Sequence, residues 1–561
     1  MANIKKQNFN KRIAAIASGA QSMRNLCIES QFDSVTGEYI GNDDNRRYDA
    51  MLEAIGNEPM FASIDQDQAV AIVSGMQSSV RDYEQTHGEL PRDEVLASAY
   101  STMGNMLTLD GASSEGGLGQ MMMESIGQSL SSSQGVEIRA KMVGLVLPVV
   151  LETATTDAVT MMPAGSTEVE IFKVYRRTGS SFGDFAKGVE IDQATVGQYT
   201  NMRQRYEFIK EQRPDGVKKE FTFTSKTDLE NTSVEIPFSK TSVSLWVDRR
   251  RVCRDLDSNG SSMMSGVAKI GEEEYILNCQ INHAAGSMTV TSGKPLPEGV
   301  ELHAEFEVNI EEAPQFIPTI DHDMDSRLLR PRQRAVAADA TIQAMFTMNR
   351  EFGQDLKSMQ MSHMRNTLAA EKATGHLVDM NFACRKEETF NLYVANGDDW
   401  KLHRERINEL LLNVSTKILQ ATKTTGLTGI FAGTWASNIL KSLGAPHFIA
   451  PANYRQKNAI HYAGRLFGMW KVYECPNVIG ENEMLCYGRG SSHSEAGYVA
   501  GDAIAATMYT HPIGKNLRAS NTLYELSYGE IHPFNGEDYF YRVKLIDVKP
   551  EQEPEPLAQA A

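Results

Sequence analysis

Between about Lys218 and Ile310 the chain alternates apolar and polar residues with a period of two, while the segment from about Val336 and the N-terminal one repeat at three and four. The two periods put side chains on incompatible faces, so the block and its flanks belong to different layers or different domains. Its apolar runs are Val234, Ile236 and Phe238; Val243, Leu245 and Val247; Tyr275, Leu277, Cys279 and Ile281; and Val300, Leu302, Ala304, Phe306, Val308 and Ile310. Separated by turn clusters such as DSNGSS, these runs predict an inserted antiparallel sandwich of roughly 90 residues.

A chain of 561 residues is long enough for about three or four compact units around this block. Its 55 Lys and Arg against 72 Asp and Glu leave a net charge of −17, which disfavours general attraction to phosphate or anionic lipid. Six cysteines, with no C-x-x-C pair, fit a reducing compartment better than a disulfide scaffold or a zinc site. The start, Met1 to Ala20, offers only the short apolar stretch IAAIA, so secretion is not expected. The longest apolar run, Met142 to Leu151, contains Pro148 and falls well short of the ~20 residues that span a bilayer.

Residues 1–115 read as a helical segment, separable from the rest, with Leu52, Ile55 and Met60 in one patch and Val70, Val73, Met76 and Val80 in another. The Gly-, Ser- and Met-rich stretch from Gly111 to Gly135 opens a connector over 116–160. STEVEIFKVYRR then alternates as a strand and starts a region, 161–320, that carries the β block. From Val336 to Ala373 the pattern turns helical, with Ile342, Met345, Phe352, Leu356 and Met359 on one face of a helix roughly 55 Å long. A second helix is expected from Lys401 to Thr422, on the stripe Ile407, Leu410, Leu411, Val414 and Ile418, with Gly426 as its stop. These helices fall in a unit over 321–425. Short strands follow over 426–548, the last being DYFYRVKLIDV, and the acidic tail 549–561 is expected to be disordered. No repeat of 20 to 50 residues is present, which sets aside solenoids and propellers.

Catalytic chemistry is hard to find. Asp321, His322, Asp323 and Asp325 resemble half of a calcium loop but lack its turn glycine and distal glutamate, so a helix-entry loop is the simpler account. GRGSSHSEAG, Gly488 to Gly497, lacks the Lys-Ser or Lys-Thr of a phosphate loop, and no G-x-S-x-G surrounds Ser491, Ser492 or His493. Glu272, Glu273 and Glu274 read as a solvated run. Two basic clusters remain, Arg249, Arg250, Arg251 and Arg254, and then Arg327, Arg330, Arg332 and Arg334. In a protein this acidic, guanidinium forks find carboxylate partners between subunits more readily than phosphates.

VLPVVLETATTDAVTMMPAGSTEVEIFKVYRR resembles the entry into the extended loop of tailed-bacteriophage major capsid proteins. GRLFGMWKVYECP, EMLCYGRGSSHSEAGYV and HPIGKNLRASNTLYEL follow in the order found in the C-terminal half of the T-even-like group, which has the Hong Kong 97-type fold. The likeness covers about residues 136–546, with a departure at Glu474, Cys475 and Pro476, where the family commonly has Asp-Pro after Lys-Val-Tyr.

The resemblance implies an α+β capsid fold with an extended loop, a peripheral domain built on a long spine helix, an axial domain and an inserted antiparallel β module. It implies a structural, non-enzymatic subunit of an icosahedral or prolate head shell, without cofactor or metal, assembled in the bacterial cytoplasm and resident in the virion. The implied partners are other copies in hexamers, with pentamers or a vertex protein. Scaffold, maturation protease, portal and decoration proteins are further implied partners, and DNA is touched only weakly. On this view Arg176 and Arg177, with Arg249, Arg250, Arg251, Arg327, Arg330, Arg332 and Arg334, are subunit-contact candidates, and Glu115 and Glu124 are candidate maturation cleavage points. The alternative is a tail or baseplate protein whose β module docks or binds glycans; a third reading, a hydrolase using Asp321 to Asp325, would require metal.

Overall fold

The computed structural model describes residues 2–33, 37–40, 44–62, 64–111, 146–153, 155–162, 168–191, 195, 197–229, 234–256, 262–353, 356–394, 400–451, 454–492, 495–511 and 517–549. Glu115, Glu124, His493 and nearly all of the acidic tail lie outside them. The architecture is α+β, divided into one compact unit of residues 1–173 and 326–561 and a second of 174–325.

The first unit opens with helices α1 (Ala2–Cys27), α2 (Asp44–Gly56), α3 (Gln66–His87) and α4 (Asp93–Gly111). Helix α3 buries Val73, Met76 and Val80 of the expected stripe together with Ala69 and Ile72, half-buries Val70, and stops where Gly88 takes a left-handed φ of 71°. These helices pack into the rest of the unit. Met23, Leu26, Phe61, Val73, Leu96 and Met103 share one core with Leu147, Tyr473, Leu485, Tyr487, Tyr498 and Phe540 from the rest of the unit. The seam is also polar: Thr102 Oγ1 donates to the carbonyl of Asp502 at 2.9 Å and Asn105 Nδ2 to that of Ala503 at 3.0 Å.

After α5 (Val146–Glu152) and β1 (Val159–Met161), strand β2 (Val169–Thr178) carries the chain into the second unit. That unit contains β3 (Arg203–Glu207), β4 (Glu220–Thr224), β5 (Ser244–Val247), β6 (Arg250–Arg254), β7 (Met263–Ile270), β8 (Glu273–Asn282), β9 (Ser287–Ser292) and β10 (Leu302–Glu307). They form two four-stranded antiparallel sheets, ordered β3-β10-β5-β6 and β4-β9-β8-β7. Inward-facing Phe208, Phe221, Phe223, Leu245, Leu277, Val290, Leu302 and Phe306 fill its core, with Phe238 stacked on Phe306 at 4.2 Å between ring centres. The unit is wider than the block expected over 218–310, because β3 precedes it. Val234 and Ile310 are exposed, and the run at Ile236 and Phe238 makes only an isolated bridge to Val308.

Strand β11 (Ile320–Leu329) pairs with β2 and returns the chain to the first unit, where β12 (Arg332–Thr341) follows. The acidic TIDHDMD segment is therefore a strand and not a helix-entry loop. The helix expected from Val336 starts later and is broken: α6 (Ile342–Phe352) is capped by the Thr341 hydroxyl and stopped by Gly353 at φ 63°, and α7 (Leu356–Ala383) runs on for 28 residues, about 42 Å. VAADA is rich in alanine, yet ten residues of β12 pair with β20, and that ladder overrides helix propensity.

The remaining elements are β13 (Glu387–Asn391), α8 (Trp400–Glu405), α9 (Ile407–Thr422), β14 (Leu427–Ala432), α10 (Thr434–Ser442), β15 (Phe448–Ile449), β16 (His461–Leu466), β17 (Trp470–Glu474), β18 (Glu483–Gly488), β19 (Tyr498–Thr510), β20 (Arg518–Ile531) and β21 (Phe540–Ile546). The helix expected over Lys401–Thr422 is thus two helices, and α9 ends at Lys423, which itself adopts φ 60°, three residues before Gly426. The sheets are β13-β21-β18-β14-β17-β16-β15 and β1-β19-β20-β12. Residues 425 and 426 are no boundary: Ile407, Leu411, Val414 and Ile418 of α9 share a core with Ile430, Val472, Met484 and Val543 of the seven-stranded sheet.

The N-terminal helices are closed onto this body by Glu94 and Arg489, an ion pair whose side chains are almost fully buried. Among the described residues, Arg489→Met would leave the Glu94 carboxylate with Arg92 at 3.7 Å. We expect it to cost about 3 kcal/mol, read as a lowered urea midpoint, and to expose the helices to protease at lower urea than the rest of the chain.

Candidate functional site

The arginines singled out in the sequence fall into both units. In the second, Arg176 is exposed on β2, and Arg177 stacks on Tyr175 at 4.8 Å while pairing with Asp323 of β11 at 3.3 Å. Arg249 sits in the β5–β6 turn at φ 66°, 3.7 Å from Glu301, and Arg250, Arg251 and Arg254 are each exposed on β6. In the first unit, Arg327, Arg330 and Arg332 are exposed, and Arg330 reaches Glu168 at 3.1 Å. Arg334 differs: it is half-buried beneath α7, with its Nη2 3.9 Å from where a side chain on Gly375 would begin. Its guanidinium is therefore less accessible than those of Arg327, Arg330 and Arg332.

Strands β2 and β11 form a ribbon of two strands, each ten residues long or about 33 Å. Only Leu329 of β11 is buried, and Val174, Ile320 and Leu328 are exposed. In β11 the residues Asp321, Asp323 and Asp325 lie on one face and His322 on the other, which spreads the acidic group that composition made look like a site. Among the described residues no group of three or more His, Cys, Asp or Glu is placed to hold a metal ion, and no helix is long and apolar enough to cross a membrane. Trp246, the aromatic a glycan site would need, is covered by Arg205 at 4.2 Å from its ring centre. Arg205 also reaches Glu305, a carboxylate buried in the same sheet and held below the usual range by Arg205 and Arg203 against the effect of burial.

Two buried polar sites were not legible beforehand. The first is Asp157, on the turn before β1. It accepts hydrogen bonds from Tyr83 of α3 at 3.0 Å, from Lys471 of β17 at 3.0 Å and from the Tyr473 hydroxyl, with His87 at 3.9 Å. Arg92 donates to its main-chain carbonyl at 3.4 Å. Burial opposes its charge, but Lys471, Arg92, the Tyr473 hydroxyl and His87 outweigh burial and hold the carboxyl down at about 2. Burial in turn keeps His87 below the usual imidazole range. The N-terminal helices and the sheet therefore meet on one carboxylate.

The second is Lys372 on α7, buried between Asp502 of β19 and Glu525 of β20, with Glu525 at 2.9 Å. The two carboxylates raise the lysine against burial, while burial and Glu525 push Asp502 above the usual carboxylate range. One turn on, His376 Nδ1 meets Thr155 Oγ1 at 3.1 Å, and burial with Lys372 and Arg334 nearby holds its pKa at about 3. This polar stripe fixes α7 to the four-stranded sheet. The signal was a spacing of four, Leu368, Lys372 and His376, with a lysine and a histidine on a face that is otherwise apolar.

Comparison with known proteins adds two kinds of match. A domain of unknown function, DUF8615, matches residues 3–153. Protein IncB of Escherichia coli is 32% identical over 177 residues, which is 31% of this chain and 84% of IncB. The chain belongs to the Protein IncB family. The DUF8615 match takes in the N-terminal helices, α5 and the start of the segment leading to Asp157. Among solved structures, the jumbo bacteriophage PhiKZ capsid aligns with a TM-score of 0.36 and 7% identity, over 70% of this chain and 92% of that one. The bacteriophage PhiM1 mature capsid aligns with a TM-score of 0.28 and 13% identity, over 41% and 76%.

The Asp157 site makes a prediction about acid. A carboxyl held near 2 when folded and near 3.8 when free stabilises the fold above pH 4, and that contribution disappears as pH falls from about 4 to 2. Asp157→Asn should lower stability at pH 7 and flatten the pH dependence across that window; an unchanged slope of unfolding free energy against pH would exclude the assignment.

Proposed function

We propose that this chain is a shell subunit, a major capsid protein that assembles with copies of itself into an icosahedral or prolate phage head, within the T-even-like group of the Hong Kong 97-type fold. The single observation that carries the reading is the β2–β11 ribbon. Val169, Ile171 and Phe172 of β2 and Leu329 of β11 are buried, but a two-stranded sheet is marginal in water by itself, and the rest of this one carries exposed Val174, Ile320 and Leu328 beside exposed Arg176 and Arg327. Lapping over a neighbouring copy would supply the missing layer. Repeated in rotation, such a heterologous contact closes rings and builds a curved lattice. Each lapped ribbon also acts as a tether, so small contact energies add up to a durable shell.

On this reading the chain performs no catalytic step, and the exposed arginines at 176, 249–251, 327, 330 and 332 meet acidic residues of adjacent copies. The net charge of −17 suits a container wall that must let DNA move. The helices of residues 1–111 and the following connector form the assembly-directing part, with cleavage at Glu115 or Glu124 during maturation.

Removing residues 176–186 should leave a soluble subunit that gives no shells in negative-stain electron micrographs, whereas normal particles from that deletion would refute the reading. Intact mass of protein taken from mature particles tests the cleavage separately: a fragment well below 62.1 kDa is expected, and 62.1 kDa would exclude processing.

A further inference from the structure

The second unit holds two cysteines that the shell reading does not use. Cys253 lies on β6, at the edge of one sheet, and Cys279 lies on β8, next to the edge strand β7 of the other. Both side chains point into the core between the sheets and are buried. The Cys253 sulfur sits 4.0 Å from the carbonyl of Leu277, two residues before Cys279. It occupies space that a side chain at Gly266 of β7 would take, since a Cβ there would stand 2.9 Å from the sulfur and 2.3 Å from the carbonyl of Val252. Cys279 is the next inward-facing residue of β8 after Leu277, which brings the two thiols together in one core. Their mutual interaction lowers the pKa of Cys253 and, with burial, raises that of Cys279.

We propose that Cys253 and Cys279 form a disulfide that staples the two sheets of the second unit once the protein leaves reducing surroundings. The oxidant is a small-molecule disulfide of the oxidised-glutathione class. The Cys253 thiolate attacks one sulfur of that disulfide and expels a thiolate, giving a mixed disulfide on Cys253. The Cys279 thiol gives its proton to the expelled thiolate and attacks the Cys253 sulfur, releasing the second small thiol. Two protein thiols are oxidised, one external disulfide is reduced, and the two protons end on the two released thiols. Access comes through fraying of β6 and β7, both edge strands, and the link closes the chain between residues 253 and 279 across the core. The staple is independent of the shell reading, since it concerns one unit of one chain.

The test uses the full chain, incubated with oxidised glutathione in sub-denaturing urea so that the edge strands open, then digested without reduction. The expected result is a disulfide-linked peptide pair containing residues 253 and 279, and a fall in titratable thiols from six to four. A rise of roughly 5–10 °C in the unfolding transition of this unit should follow, reversed by dithiothreitol. Cys253→Ala and Cys279→Ala should each remove both the link and the rise. Six thiols still titratable after that incubation would overturn the proposal. So would a link confined to other cysteines, or the same thermal shift in Cys279→Ala.

Discussion

The first unit is organised around carboxylates buried beside a lysine or arginine. Asp157, Glu94 and the pair Asp502 with Glu525 each lie buried, where an anion alone would be unstable, and each is placed against a lysine or arginine from a different segment. Burying a charge is costly unless its partner is correctly placed, and any slip in register leaves an ion unmatched. The seams between the N-terminal helices, α7 and the two sheets are therefore specified more sharply than apolar packing alone would specify them. Tyr83, Arg92, Lys471 and Tyr473 converge on Asp157 from elements almost four hundred residues apart in the chain, roughly the span from α3 to β17.

That arrangement also explains what could be read from the chain and what could not. The alternating runs at Leu245, Leu277, Cys279 and Phe306 belong to strands whose buried face is set by local pleat, so the β block was visible. The helices at α3 and α9 carried their apolar stripes openly. Strand β12 was misread because its side chains are small and its conformation is imposed by β20, nearly two hundred residues later in sequence. The break at Gly353 was missed for the related reason that Met and Phe continue the stripe on both sides of it. The candidate contact arginines were legible as clusters, but only coordinates separate Arg334, tucked under α7, from its exposed neighbours. Asp157 and Lys372 gave little warning because their partners are scattered along the sequence.

The two units obey different rules. In the second, aromatic packing dominates, with Phe208, Phe223, Phe238 and Phe306 in one cluster and Glu305 as an inward charge clasped by Arg203 and Arg205. In the first, apolar cores alternate with ionic seams. A sandwich with its own core tolerates change at its rim, whereas a body held by matched ions resists substitution at each seam.

The chain leaves the first unit within β2 and comes back within β11, and these strands are neighbours. Departure and return are thus about 4.8 Å apart. Any foreign domain whose own ends lie side by side can be grafted at those two points without rethreading the host, which makes this position a natural socket for displaying cargo.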